Sequence, residues 1–229
     1  MPMPSNAPRE PLSRSVEDYL KAIQRLSDEG RPASTTQIAE ALAVAPPSVT
    51  GMVKRLSEQG LLEHEPYRGV TLTPLGRREA MRVIRRHRLI ESYLVAFLGY
   101  RWDDVHDEAE RLEHAVSDAL VERMAAALGH PAVDPHGDPI PDARGDVRRQ
   151  PLLSVSALPA GAVAVVRRVA TNEAGPLRWF AGEGLVPGAR LRVGVQAPEG
   201  GARRVELGER VASVPAALAR LVECEVVPD

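Results

Sequence analysis

The segment His106-Asp-Glu-Ala-Glu110-Arg-Leu-Glu113-His114 packs two imidazoles and two carboxylates into one short stretch. Read as a helix at ~100° per residue, His106, Glu110, Glu113 and His114 fall within an arc about 100° wide. Four potential metal ligands then share one face. A divalent cation requires oxygen and nitrogen donors converging on one point, whereas a solvated helix has no need to align two histidines with two acids. An exposed acidic helix is the competing reading. Upstream, His87 and Glu91 are spaced i, i+4 and add an imidazole and a carboxylate on one helical face. Asp18, near the start of the first helix, is a further candidate, although a lone acid there ordinarily serves the helix dipole.

Composition narrows the chemistry. A single cysteine, Cys224, excludes an intrachain disulfide and any cysteine-based zinc cluster, so metal binding would rest on oxygen and imidazole. With 229 residues the chain suits two or three small domains. No apolar run approaches the ~20 residues that span a bilayer, and the first residues lack the basic start and apolar core of a signal peptide. A cytoplasmic location is expected. The net charge of −2 conceals a segregation: residues 1–88 sum to +4, residues 89–150 to −7 and residues 151–229 to +1. Carboxylates crowded around histidines in the middle third raise one another's pKa, and a bound cation would relieve that repulsion. The basic front end suits a polyanion.

The elements that must position these groups follow from periodicity. Tyr19, Leu20, Ile23 and Leu26 form the apolar stripe of a first helix ending near Asp28-Glu-Gly30. Ser34 and Gln37 form a capping box that opens a second. Pro46 and Pro47 suit the first turn of a third, with Val49, Met52, Val53 and Leu56 inward. Leu61–Glu65 and Val70–Thr73 read as strands joined by the turn Pro66-Tyr-Arg-Gly69. This is a helix-turn-helix followed by a wing. Thr73 and Pro74 then mark the N-terminus of a long helix to about Phe97, with six arginines between Arg77 and Arg88. Such a helix is expected to be a solvated connector, with contact to phosphate as an option. A helix is predicted over 103–128, closing at Gly129, before the Pro- and Gly-rich connector 130–145, read as an ordered loop.

From Leu152 onward, short alternating runs at 163–166, 191–195 and 204–207 predict a small SH3-type β-barrel, with a helical turn at 215–221 before a last strand at 222–227. The fold class is therefore mainly α with a small β domain. The expected boundaries are 1–75 for the winged helix-turn-helix, 76–150 for a helical metal-binding domain and 151–229 for the barrel.

The third helix exposes Ser48, Thr50, Lys54 and Arg55, short donors and cations suited to base edges and phosphates. Tyr67 and Arg68 of the wing are placed to reach the backbone or minor groove. Thr36, Gln37 and Pro47 complete the candidate DNA-contacting set. A winged helix serving only protein interaction is the alternative.

The ordered motifs Ser15-Val-Glu-Asp-Tyr-Leu20, Pro46-Pro-Ser-Val-Thr50, Leu72-Thr-Pro-Leu-Gly76, Arg86-His-Arg-Leu89, Val105–His114 and Pro135-His-Gly-Asp-Pro-Ile-Pro141 span nearly the whole chain. In these the chain resembles the diphtheria toxin repressor and manganese transport regulator family of metal-activated transcription factors. The resemblance implies a homodimer joined through the middle helical domain and metal-dependent binding to palindromic, double-stranded operator DNA. It implies one metal site from Asp18, Glu110, Glu113 and His114, and a second from His87, Glu91 and His106. Glu173 matches a ligand lent by the barrel, which resembles the FeoA-like domain of the iron-responsive branch.

The chain also departs from the family pattern. Asp18 and Glu110 stand where the iron-type pattern has sulfur ligands, and hard oxygen donors favour Mn²⁺ over Fe²⁺ relative to a sulfur site. Fe²⁺ is the alternative cofactor, with Co²⁺, Ni²⁺, Zn²⁺ or Cd²⁺ as substitutes in vitro. Lys21 stands where manganese-type regulators place a carboxylate, and Pro176 cannot supply a side-chain ligand. Gly51 occupies the middle of the third helix where a longer polar side chain is common.

A metalloenzyme is the rival from another class, but its di-metal sites need Glu-x-x-His pairs on two helices, and no second helix here repeats the pattern. Neither an enzymatic activity nor a small organic substrate nor a membrane partner is expected.

Overall fold

The computed structural model describes residues 12–27, 31–65, 68–148, 150–197 and 201–228. The chain divides into two compact units: the residues up to Ile84 with Ala143–Gly145, and Arg85–Asp142 with Asp146–Asp229.

The first unit holds α1 (Arg14–Leu26), α2 (Thr35–Leu42), α3 (Pro46–Glu58), β1 (Leu62–Glu65), β2 (Gly69–Leu72) and the first turns of α4 (Pro74–Leu98). Helical spacing puts Val16, Tyr19, Leu20 and Ile23 of α1 into one core with Ile38, Val49, Val53 and Leu56. The capping box forms as the sequence predicts: Gln37 N donates to Ser34 Oγ at 3.1 Å, and Ser34 N donates to Gln37 Oε1 at 2.9 Å. Strands β1 and β2 pair antiparallel, with Leu62 opposite Leu72 and Glu65 opposite Gly69. Ala33 bridges Val70 from outside the hairpin, so the segment before α2 extends the wing's small sheet. The tip residues Pro66 and Tyr67, and the end of the predicted turn after α1, lie outside the described residues.

The wing is fastened to α4. Thr73 Oγ1 accepts from Gly76 N at 3.0 Å, the expected N-cap, and its hydroxyl donates to the Gly60 carbonyl at 2.8 Å. A Cβ added at Gly76 would overlap the Leu61 carbonyl oxygen, so helix and strand approach as closely as only glycine allows.

In the second unit the remainder of α4 packs with α5 (His106–Leu112) and α6 (Asp118–Ala127). The single helix predicted over 103–128 is thus two. Ser117 caps α6 by accepting from Leu120 N, and residues 113–117 form the turn between them. An N-cap residue takes extended backbone angles, here φ −77° and ψ 154°, which no continuous helix accommodates. Leu89 packs with Val121, Ala125 and Ile140, while Ile90 and Leu94 pack with Val105 and Ala109.

The arginine-rich stretch of α4 is also more internal than expected. Arg85 meets Glu122 at 2.9 Å and donates to the Pro141 carbonyl at 2.9 Å. Arg86 donates to the Glu113 carbonyl at 2.7 Å, and Arg88 to the Pro139 carbonyl at 2.6 Å. Three of the six arginines therefore organise the turn after α5 and the connector.

The rest of the unit comprises β3 (Leu153–Ser154), β4 (Val163–Val169), α7 (Ala174–Glu183), β5 (Arg190–Gln196), β6 (Arg203–Leu207), β7 (Arg210–Val214), α8 (Ala216–Ala219) and β8 (Val222–Val226). The strands form one antiparallel sheet in the order β3-β8-β4-β5-β6-β7 around a core that includes Val166, Leu177, Phe180 and Leu191. Three features, β3, α7 and β7, were not read from the sequence. Gly175, Pro176 and Gly182 disguise α7 as loop, although proline is tolerated in a helix's first turn.

The connector docks on this sheet. Val169 N donates to the His136 carbonyl at 2.9 Å, and Arg168 pairs with Asp138 at 3.5 Å.

Candidate metal centre

The long helix α4 supplies His87 and Glu91 one turn apart, and α5 presents His106 and Glu110 with the same spacing. Their donor atoms converge. His87 Nε2, His106 Nδ1 and Glu91 Oε1 stand 3.0 Å from one another along all three edges of a triangle. An octahedral ion with bonds of about 2.1 Å sets adjacent donors about 3.0 Å apart, and a tetrahedral one about 3.4 Å apart. The triangle has the spacing of one octahedral face, which is also the spacing of ordinary hydrogen bonds. Glu110 Oε1 lies 3.6 Å from His106 Nε2, and the three residues His87, His106 and Glu110 form a metal-competent group.

The ring orientations are held from behind. His87 Nδ1 lies 2.6 Å from Glu113 Oε2, and this contact orients the ring so that Nε2 faces the triangle. Glu113 is fully buried, and its other oxygen, Oε1, lies 3.2 Å from His114 Nε2. One carboxylate thus touches a histidine of the first cluster and its own sequence neighbour.

A further group lies alongside: Glu91, Asp134 and His136, all buried and within ligand distance of one another. Asp134 Oδ1 accepts from His136 N and Asp138 N at 2.8 and 3.0 Å, which folds the connector around it. His136 Nε2 donates to the Trp102 carbonyl at 2.6 Å.

Electrostatics separates the two buried acids. Burial alone would raise the pKa of Glu91, but hydrogen bonds with His106 and His87 and the charges of His87 and His136 outweigh it and hold the carboxyl well below its ordinary value. For Asp134, burial and then the negative charges of Asp138 and Glu91 push the carboxyl well above its usual range. Cys224 is buried on β8 with its thiol pushed up to about 12, a poor source of thiolate.

Three domain families match the chain in order. The N-terminal DNA-binding domain of iron-dependent repressors matches residues 11–70, their metal-binding and dimerisation domain matches residues 73–142, and the FeoA domain matches residues 153–226. The iron-dependent repressor IdeR of Mycobacterium tuberculosis is 34% identical over 228 residues, covering 94% of this chain and 99% of that protein. The chain belongs to the iron-dependent repressor family.

Solved structures of metal-dependent repressors agree. A manganese-dependent transcriptional repressor in complex with manganese superposes with a TM-score of 0.84 at 39% identity, covering 93% of this chain and 100% of that one. ScaR with bound Zn²⁺ gives 0.78 at 31% identity, covering 93% and 99%.

Within this iron-dependent repressor fold, the residues read from sequence fall into separate groups. The four ligands of 106–114 do not form one row on one helix. His106 and Glu110 join His87 and Glu91, while Glu113 caps α5 and His114 lies in the turn beyond it. Asp18 lies on α1 of the first unit, 4.0 Å from Arg14. Glu173 is exposed at the N-cap of α7; its neighbour Asn172 is the barrel residue brought to the cluster, with Nδ2 3.4 Å from His106 Nε2. Asp134 and His136 were not among the candidate ligands read from the sequence, although they form a metal-competent group with Glu91. The signal was present in Asp134-Pro-His136, but a connector has no periodicity to show which way its side chains face.

On α3, Pro47, Ser48, Thr50, Lys54 and Arg55 are exposed opposite the buried Val49, Val53 and Leu56. Thr36 and Gln37 are exposed at the start of α2, with Gln37 Oε1 occupied by the cap. Arg68 pairs with Glu65 at 3.0 Å, and Tyr67 is outside the described residues.

Proposed function

We propose that this chain is a manganese-responsive repressor that binds a palindromic operator as a homodimer when metal-loaded, and that Fe²⁺ is the alternative effector. The observation that carries the reading is the 3.0 Å triangle of His87, His106 and Glu91, built wholly from nitrogen and oxygen donors. Glu110 places oxygen where the iron-type pattern has sulfur, which supports Mn²⁺. The likeness to a manganese-bound repressor supports it further. The iron alternative rests on the match to IdeR along nearly the whole chain.

In this reading Glu110, Glu113 and His114 hold one ion to which Asp18 adds a donor from the DNA-binding domain. The family resemblance supplies that last assignment. The metal's contribution is positive charge and directed bonds that restrict where the two DNA-binding heads can sit. Operator half-sites lie about one helical turn of DNA, or a multiple of it, apart, so restricting the heads favours binding. An ion that prefers the closed arrangement ~100-fold supplies about 2.7 kcal/mol.

Other features fit the same reading. Ser48, Thr50, Lys54 and Arg55 of α3 are the proposed DNA-facing set, to which Pro47, Thr36, Gln37 and Arg68 are added, and Tyr67 remains a candidate from the sequence alone. Phe97, Leu98 and Leu120 are exposed apolar side chains on the second unit, suited to a dimer contact. No described helix is long and apolar enough to cross a membrane. We assign no catalytic step.

The test is fluorescence anisotropy of labelled operator DNA across Mn²⁺, Fe²⁺, Co²⁺, Ni²⁺, Zn²⁺ and Cd²⁺, with chelator as control. Mn²⁺ is expected to tighten binding ~100-fold. Asp18→Ala is expected to bind equally with Mn²⁺ and with chelator, and a retained response would remove Asp18 from the site. Glu110→Cys is expected to shift the preferred activator toward Fe²⁺ or Co²⁺, because a thiolate is the softer ligand. An unchanged order of metals in the same titration would reject the manganese assignment of Glu110.

A further inference from the structure

Glu91 belongs to two donor groups at once. Its Oε1 faces His87 Nε2 and His106 Nδ1 at 3.0 Å each, and its Oε2 faces His136 Nδ1 at 3.8 Å. The carbonyl of Trp102 can only accept, so His136 Nε2 carries a proton. The other ring nitrogen, Nδ1, is the one that faces Glu91 Oε2. Asp134 completes the group, with its donor atom within 4.8 Å of the other two. These three side chains face one another in a region closed to water: Glu91 is 2% exposed, Asp134 6% and His136 1%. Two carboxylates buried side by side repel each other, and a shared cation relieves that repulsion. Arg88 reaches Asp134 Oδ2 at 3.5 Å, but its guanidinium is divided between Asp138 and the Pro139 carbonyl.

We propose that Glu91 is a bridging carboxylate that holds two cations side by side, one with His87 and His106 and the other with Asp134 and His136, so that the pair loads as a unit. The proposal rests on the metal-dependent reading above and adds a stoichiometry and a coupling to it. A carboxylate has lone pairs enough on its two oxygens to serve both ions, and carboxylate-rich protein sites hold metal pairs about 3.5–4 Å apart. The first ion would fix the Glu91 side chain on Oε1 and so aim Oε2 at the second position. Because binding free energies are reciprocal, the second ion favours the first by the same factor.

The test uses the intact protein, stripped of metal and dialysed against Mn²⁺, with bound manganese counted by mass spectrometry and its environment read by electron paramagnetic resonance. Wild type is expected to show an exchange-coupled manganese signal. Glu91→Gln is expected to lose two ions per chain. His136→Phe is expected to lose one ion and to replace the coupled signal with the six-line spectrum of isolated Mn²⁺. Asp134→Asn provides a second route to the same result, and circular dichroism checks that each variant is folded. Loss of a single ion in Glu91→Gln, or a full manganese count in folded His136→Phe and Asp134→Asn, would overturn the bridge while leaving a metal-dependent regulator intact. The first result would mean that only one position uses Glu91, the second that His136 is a protonated partner. A wild-type protein that binds no Mn²⁺ would instead sink the manganese reading on which the bridge rests.

Discussion

Replacing Glu113 by glutamine is expected to abolish the response of operator binding to Mn²⁺, reducing a gain of ~100-fold to less than about 3-fold. The size of the effect follows from the position of one side chain. Glu113 is fully buried, 2.6 Å from His87 Nδ1 through one oxygen and 3.2 Å from His114 Nε2 through the other. Glutamine preserves the volume but removes the charge, and its single carbonyl oxygen can serve only one of the two neighbours. If the oxygen stays on His87, an amide NH₂ faces the second position, where a metal needs an acceptor. If it turns to the second position, the NH₂ meets the His87 N–H, and the ring is driven to the tautomer or rotation that withdraws Nε2 from the triangle. Either way one site loses a ligand or its support. Protein stability without metal is expected to fall by only about 1–3 kcal/mol, the cost of one imperfect buried hydrogen bond. The two outcomes are separable: thermal melts with chelator report the fold, and the rise in melting temperature on adding Mn²⁺ reports the site. A variant that keeps both the melting shift and the DNA response would show that Glu113 is dispensable.

The second large effect is expected at a residue with no side chain to offer an ion. Gly137→Ala should destabilise the second unit by roughly 2–5 kcal/mol, combining left-handed backbone strain with overpacking. Gly137 has φ +89°, and a Cβ there would overlap the backbone carbonyl of Arg167 on β4. A carbonyl in a strand cannot move aside as a flexible side chain does. The connector must therefore lift from the sheet, weakening the bond from Val169 N to the His136 carbonyl next to it. Since Asp134 and His136 are carried by this connector, the variant should also bind less Mn²⁺ per folded chain. Differential scanning calorimetry with a metal count on the same sample tests both parts. An unchanged melting temperature would mean that the connector has room the close approach denies.

Much of this architecture was legible because its signals are local. The Ser34 and Gln37 cap, the Pro46-Pro47 start of α3 and the Thr73-Pro74 start of α4 each involve groups within four residues, so the chain closes them at small entropic cost. The inward faces of α1 and α3 follow from the 3.6-residue period, and the alternating runs after Leu152 from the two-residue period of strands. The turn between α5 and α6 carried a local signal too, Ser117 before Asp118, but the hydrophobic and acidic pattern across 103–128 masked it. Helix α7 was hidden by its own glycines and proline, whose preferences are overridden where Leu177 and Phe180 bury against the sheet.

By itself the sequence determined which chemistry was available: histidines and carboxylates in place of sulfur, an i, i+4 pair on α4, another on α5, and a winged helix ahead of them. Which of those groups come within reach of one another was decided only in three dimensions. Asp134 and His136 lie more than forty residues beyond Glu91, and nothing in a Pro- and Gly-rich connector states which way its side chains will turn. Asn172, the neighbour of Glu173, comes to 3.4 Å from His106, while Glu173 is exposed at the N-cap of α7. Periodicity encodes a face, since each residue's direction follows from its neighbour's. Convergence requires packing between distant segments, which is set by the arginines of α4, the close approach at Gly137 and the burial of the sheet, and not by any spacing along the chain.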